Sequence, residues 1–274
     1  MKKWSNGVAN ALLMLLLGIG AVPASGQALT VYTAWVPDYM ISTGATLDQS
    51  TGLITEIAAG AFRQAHLQVN MAPEMPWLRA QTVAMTQPGA ILLGLSRTPA
   101  RERHWQWLAL TFDEQIYAMT LQGRPSYTSI LDMKVRHARV GTRLGSGSAS
   151  LLHSNGIAVV EAVDTDTSFS QLSAGMIDVL LVQKFALRPA LDSLSYGAHA
   201  ELLSGLLPRL HATLLPDDIQ QWMVASLTTP AEEGQKLRAA IESFRNTEQY
   251  KAILTKYEET VPHLAEPARD NGQP

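Results

Sequence analysis

The 274-residue chain contains no cysteine, and no apolar run of membrane-spanning length follows its first twenty residues. The first absence excludes thiol catalysis, cysteine-ligated metals and disulfide staples, so stability must come from an ordinary core. The second leaves no later segment to cross a bilayer. There is no HExxH, and the seven histidines show no metal-like pairing. Gly94-Leu95-Ser96-Arg97-Thr98 misses the glycine that would complete a serine-nucleophile elbow, and Gly145-Ser146-Gly147-Ser148 falls short of a dinucleotide loop. Positive charge is also scarce, with 21 basic against 24 acidic residues. That balance argues against nucleic acid and anionic membrane as partners.

What is present begins with an export signal. Met1-Lys2-Lys3 is basic, Val8 to Ile19 is apolar, and Ala21-Val22-Pro23-Ala24-Ser25-Gly26-Gln27-Ala28 is small. This is the pattern of a secretory leader over residues 1–28, cut after Gly26 or Ala28; the alternative, an uncleaved anchor, has too short a span. Losing Lys2 and Lys3 makes the remainder more acidic. Residues 261–274 read as a polar tail.

Between these ends, short apolar strands alternate with amphipathic helices. Leu29–Thr33, Leu67–Met71 and Ala90–Gly94 read as strands, with helices over 54–67 and 77–85 between them. A second unit repeats the pattern with strands at Ala138–Thr142, Ala158–Ala162 and Ile177–Val182. The loop Gly145–Ser148 opens one of its helices, and Thr167 is a candidate cap for the next. Thr229, Pro230 and Glu232 suggest a capping box for a C-terminal helix, followed by another over 249–257. Tyr117–Gln122 and Gln221–Ser226 are the candidate crossover strands. The organisation expected is an α/β, bilobal molecule with a ligand cleft between its lobes.

The segment Leu95–Trp107 carries Arg97, Arg101 and Arg103 behind the buried strand at Ala90. Thr98 and Pro99 read as a helix start there, so backbone N–H groups and the Arg101 guanidinium would converge on a carboxylate. The competing reading is a solvated charge run, with Arg101 paired to Glu102.

Several motifs, in order, resemble the periplasmic solute-binding proteins of ABC transporters, in the type II fold family that serves polar amino acids (family 3). They are Gly52-Leu53-Ile54-Thr55-Glu56-Ile57, Ser96-Arg97-Thr98-Pro99-Ala100-Arg101, Val140–Ser146, Ala174-Gly175-Met176-Ile177-Asp178 and the tail from Leu237 to Tyr257. Pro76-Trp77-Leu78-Arg79-Ala80 with Arg97-Thr98-Pro99-Ala100-Arg101-Glu102 is similar to a narrower subgroup. The resemblance implies two Rossmann-like lobes joined by two crossover strands, with lobe 1 at 29–120 plus 221–260 and lobe 2 at 121–220. It implies a monomeric, non-enzymatic periplasmic protein without a cofactor. The protein would close on a small anionic or zwitterionic solute and deliver it to an inner-membrane permease, or report it to a sensor receptor. A dehydratase of the cyclohexadienyl type on the same fold is the alternative, with Glu56 or Glu74 as its acid or base.

The same resemblance implies that Arg101 holds the carboxylate, with Ser96 and Thr98 beside it. Trp35, Trp77 and Tyr39 would wall the pocket or pack in the core. Ser146 and Gly147 would grip the ligand from the second lobe or form a plain connection. Arg97 and Arg143 would each face the cleft or solvent. Gln183 stands where amino-acid binders carry an aspartate for the ligand ammonium. With Arg79, Arg97, Arg101 and Arg143 nearby, that departure shifts the expectation toward an acidic ligand.

Overall fold

The computed structural model describes residues 28–34, 36, 39–40, 46–196, 200–203, 205–260 and 262. Residues 1–27 of the expected leader, Trp35, Asp38 and, apart from Pro262, the expected tail from residue 261 lie outside them. No helix among the described residues is long and apolar enough to cross a membrane.

The first half is β1 (Thr30–Tyr32), α1 (Leu53–Gln64), β2 (Asn70–Met71), α2 (Trp77–Thr86) and β3 (Ala90–Ser96). All seven residues of β3 are buried, as a central strand covered on both faces requires; it pairs parallel with β1 and antiparallel with the strand Leu210–Ala225. α1 lays Leu53, Ile54, Ile57, Ala58, Ala61 and Phe62 on it. Gly94 has φ +69°, and a side chain there would collide with Ile54. That glycine allows both the bulge between Leu92 and Leu95 and the close approach of the helix.

Two long strands then carry the chain across the molecule. β4 (Gln106–Leu121) and β8 (Leu210–Ala225) have 16 residues each and pair antiparallel from Gln106–Ala225 to Leu121–Leu210. At about 3.3 Å per residue each reaches roughly 50 Å. Between them in sequence lie α3 (Ile130–Val135), β5 (Val140–Arg143), α4 (Gly147–Ser154), β6 (Val159–Ala162), α5 (Thr165–Ser173), β7 (Val179–Gln183), α6 (Leu187–Tyr196) and α7 (Ala200–Leu203). After β8, α8 (Ala231–Phe244) and α9 (Glu248–Glu258) return to pack on the first half. The sheet order is β2-β1-β3-β8-β4-β7-β5-β6.

The core changes partners along the two long strands. Phe112 and Met223 belong to the first-half cluster with β1, α1, β3, α8 and α9. Ile116 and Ile219 belong to the second half, where clusters lie on both faces of β5 and β7. Residues 113–115 and 220–222 therefore sit between two cores, and β4 shifts register against β8 between Gln115 and Tyr117.

Four local expectations are corrected. The crossover segments Tyr117–Gln122 and Gln221–Ser226 are only the ends of β4 and β8, because polar Thr111, Asp113, Glu114 and Gln115 interrupt the apolar pattern where the strand leaves one core for the other. No α-helix starts at Thr98. The chain makes a turn and a single 3-10 turn at Glu102–His104, which has no buried residue to hold a longer helix. α5 is capped by Asp164, whose carboxylate accepts from Thr167 N at 2.7 Å, rather than by Thr167. α8 has Pro230 at its N-cap with no side-chain cap, and the Thr229 hydroxyl is buried without a partner.

Candidate ligand-binding cleft

A cavity of about 840 Å³ opens at the strand ends between the halves, within the size range of small-molecule sites. Ala34, Val36, Glu74, Met75 and Pro76 line it from the first half. The second half contributes Thr142 and Arg143 from the end of β5, Ser146 and Ser148 around the start of α4, Val163 to Asp166 before and within α5, Gln183 from β7, and the first turns of α6.

The side chains on its floor follow from local structure. Ser146 is the N-cap of α4: its Oγ accepts from Ala149 N at 3.0 Å and lies 3.3 Å from Thr142 Oγ1. Ser148, the second residue of the helix, is 1% exposed, and its hydroxyl has no hydrogen-bond partner among the described residues. Arg143 is half-buried, and burial lowers its pKa while Asp164 opposes that shift. Its guanidinium makes no hydrogen bond or close ion pair with any described residue, although Asp164 acts on its charge. A half-desolvated guanidinium with its donors unused can receive an anion. Four carboxylates share the lining with it: Glu74, Asp164, Asp166 and Asp192.

Arg101 lies beside this cavity, not in its lining. Its guanidinium donates to Ser96 O at 3.0 Å and to Gly145 O at 2.9 Å, so it joins the end of β3 to the loop before α4. Burial brings its pKa down to about 10, which leaves it charged at neutral pH. Gln81 Nε2 reaches the same Gly145 carbonyl at 3.4 Å. Gly147 lies against Ser96, so tightly that a Cβ would overlap the Ser96 hydroxyl, and Ser96 Oγ donates to Gln221 Oε1 at 3.3 Å. The Thr98 hydroxyl is buried nearby without a partner. Ser96, Arg101 and Gly147 thus form a contact between the two halves.

The remaining expected residues separate. Arg97 faces outward: it donates to both Glu102 carboxylate oxygens, at 3.1 and 2.5 Å, and stacks on Trp107 and Trp222 at 5.2 and 4.7 Å. Tyr39 is core, not wall. It donates to Glu114 Oε2 at 2.6 Å and meets Phe112 edge-on. Trp77 belongs to the first-half core. Glu56, named above as a possible acid or base, accepts from Lys256 and from the Tyr257 hydroxyl and is absent from the lining. Gln183 and Ser146 reach the cavity, as do Arg143, left open between cleft and solvent, and Glu74, the other possible acid or base.

Sequence reasoning passed over Ser148, Asp164, Asp166 and Asp192. Asp164 and Asp166 look like ordinary helix-start acids, and only the pairing of Arg143 with Ala162 brings the turn after β6 beside the arginine. It also passed over Glu114. This carboxyl is fully buried on β4, accepts from Phe185 N at 3.1 Å as well as from Tyr39, and is lifted by burial to about 7. No group of three or more metal-ligating side chains occurs among the described residues.

No family model matches the chain, and no curated protein matches it either. Solved structures do. A histidine kinase sensor domain with similarity to periplasmic binding proteins aligns over 88% of this chain and 99% of its own, at 16% identity and TM-score 0.66. The arginine-, lysine-, histidine-binding protein ArtJ from Geobacillus stearothermophilus aligns over 86% of this chain and 97% of its own, at 14% identity and TM-score 0.64. An arginine transport-system periplasmic binding protein from Legionella pneumophila gives 85% and 100%, at 14% identity and TM-score 0.62. The chain therefore has the type II periplasmic binding-protein fold. The proteins sharing it here are, by their names, binding proteins and a sensor domain.

Proposed function

We propose that the protein binds a small carboxylate-bearing solute, an amino acid or a related acid, in the cleft between its halves. In this reading it is exported by its leader, works as a periplasmic monomer and delivers the solute to an ABC permease. One observation carries the proposal: the 840 Å³ cavity is lined from both halves and contains an arginine whose guanidinium makes no hydrogen bond with the described residues. β4 and β8 run through both cores, and Phe185 after β7 also reaches into the first-half core, so bending at residues 113–115 and 220–222 together with the segment around Phe185 would open and close the cavity. Lobe 1 would comprise 29–120 with 221–260, and lobe 2 121–220. The likeness to a kinase sensor domain supports a second reading, in which the same closure reports to a membrane receptor. A permease or a histidine kinase encoded beside the gene separates the two.

A thermal-shift screen of amino acids, dicarboxylates and cyclic acids tests binding. A solute at a hundred times its Kd stabilises by about 2.7 kcal/mol, which raises Tm by about 5–10 °C in a chain of this size. A screen in which no carboxylate raises Tm contradicts the proposal. Consumption of a cyclic acid would instead support the dehydratase reading.

A further inference from the structure

The charges in the cavity are lopsided. Arg143 is the sole basic residue in its lining, against the carboxylates of Glu74, Asp164, Asp166 and Asp192. The arginine excess expected from the sequence does not enter: Arg79 is exposed on α2, Arg97 is held outside by Glu102, and Arg101 spends its guanidinium on two carbonyls. A dianionic ligand would bring a second negative charge among carboxylates already uncompensated, which disfavours it.

The lining is also ordered in space. Arg143 ends β5, and Ser148 follows within the first turn of the adjoining helix, so a guanidinium and a free hydroxyl share one end of the second half. Asp164 and Asp166 stand at the head of α5. One oxygen of Asp164 is used by the helix cap, while Asp166 is half-buried with no hydrogen-bond partner among the described residues. Glu74 faces them from the first half, exposed and likewise without a hydrogen-bond partner among the described residues.

We infer that the carboxylate anchor of this cleft is Arg143 with the Ser148 hydroxyl, and that the ligand is an amino carboxylate with surplus positive charge held by Asp166 and Glu74, while Asp164 caps α5 and stands beside Arg143. The inference rests on the solute-binding reading above and narrows it. Arg101 then acts through closure: it ties the Gly145 loop to β3 whichever solute is bound. The ligand's positive end, pulling Glu74 of one half toward Asp166 of the other, favours the closed form over the open one.

Titration calorimetry of the purified protein with L-lysine, cadaverine, L-glutamate and glutarate tests this. L-Lysine carries the carboxylate and the distal cation, cadaverine only the cations, and the last two a second acid. L-Lysine is expected to bind best, about tenfold to a hundredfold tighter than cadaverine, the worth of one charged hydrogen-bonded contact. Arg143→Gln is expected to abolish that ratio with Tm of the free protein little changed, since the Arg143 guanidinium has no hydrogen bond to the described residues to lose and only the charge of Asp164 acts on it. Arg101→Gln is expected to weaken both ligands by one factor and keep the ratio. The inference is overturned if the ratio survives Arg143→Gln, if it collapses in Arg101→Gln, or if L-glutamate or glutarate binds more tightly than L-lysine. In that last case solute binding stands and the charge assignment alone fails. If none of the four binds and the wider carboxylate screen is also silent, both fall.

Discussion

Glu114 gives the sharpest test of the reasoning about the strands between the halves. Its carboxyl is buried where β4 passes from one core to the other, with the Tyr39 hydroxyl on one side and Phe185 N on the other. Lys184, the nearest cation, donates to Gln115 and pairs with Glu258. Burial dominates, lifting the carboxyl from its usual 4.5 to about 7. The folded protein therefore keeps a proton that the unfolded chain has released. Stability from this group is full below the unfolded value and declines as pH rises, until the folded carboxyl itself ionises near 7. The slope is about 1.4 kcal/mol per pH unit, and the loss over the window is about 3 kcal/mol. Tyr39 adds nothing below pH 9, because burial and the neighbouring carboxylate push its own ionisation well above the usual 10. Urea unfolding at pH 5, 6, 7 and 8 measures the effect, with Glu114→Gln as the comparison. The amide fills the same space and is neutral throughout. Other titrating groups act on both proteins, so the difference between the profiles isolates Glu114. Wild type is expected to lose about 2.5 kcal/mol more than the variant between pH 5 and 8. Parallel profiles would refute the assignment of a protonated Glu114.

Three further outcomes follow from particular contacts. Gly147→Ala forces a methyl group onto the Ser96 hydroxyl across the two halves; it is expected to lower solute affinity about tenfold, read by calorimetry, while Tm of the free protein moves little. Arg101→Gln removes the guanidinium bridge from Ser96 O and Gly145 O, and small-angle scattering of the solute-free protein is expected to give a larger radius of gyration than wild type. Gly60→Ala drives a methyl group into the Phe244 ring between α1 and α8; the cost of about 1–3 kcal/mol should lower Tm by about 2–12 °C, by calorimetric melting, with solute affinity retained.

Much of the fold was legible because its signals are local. The apolar stripe of α1, the continuous apolar run of β3 and the helix opened by the Gly145–Ser148 loop each lie within a few residues of sequence, and each formed as read. β4 and β8 were legible only at their ends. Asp113, Glu114 and Gln115 break the strand pattern, and their reason for being there is a junction of cores that the sequence does not display. The cleft was less legible still. Arg101 has the residue type and position of a ligand anchor, but a carbonyl 44 residues away takes one arm of its fork. Trp222, contributed by β8, helps to hold Arg97 outside, and Tyr39 is drawn inward by a carboxyl 75 residues away. Thr167 reads as the cap of α5, whereas Asp164 is the cap; its place beside Arg143 depends on β5 pairing with β6. Residue type was readable in each case, while the partner was set by contacts distant in sequence.

The central claim is that the inter-lobe cleft holds a carboxylate on Arg143. A crystal structure of the protein grown with the solute that most raises its Tm tests this most directly. The account predicts density between the lobes, with a carboxylate within hydrogen-bond distance of the Arg143 guanidinium and Ser148 Oγ. Density with its carboxylate on Arg101, or a solute bound anywhere outside the cleft, would contradict it.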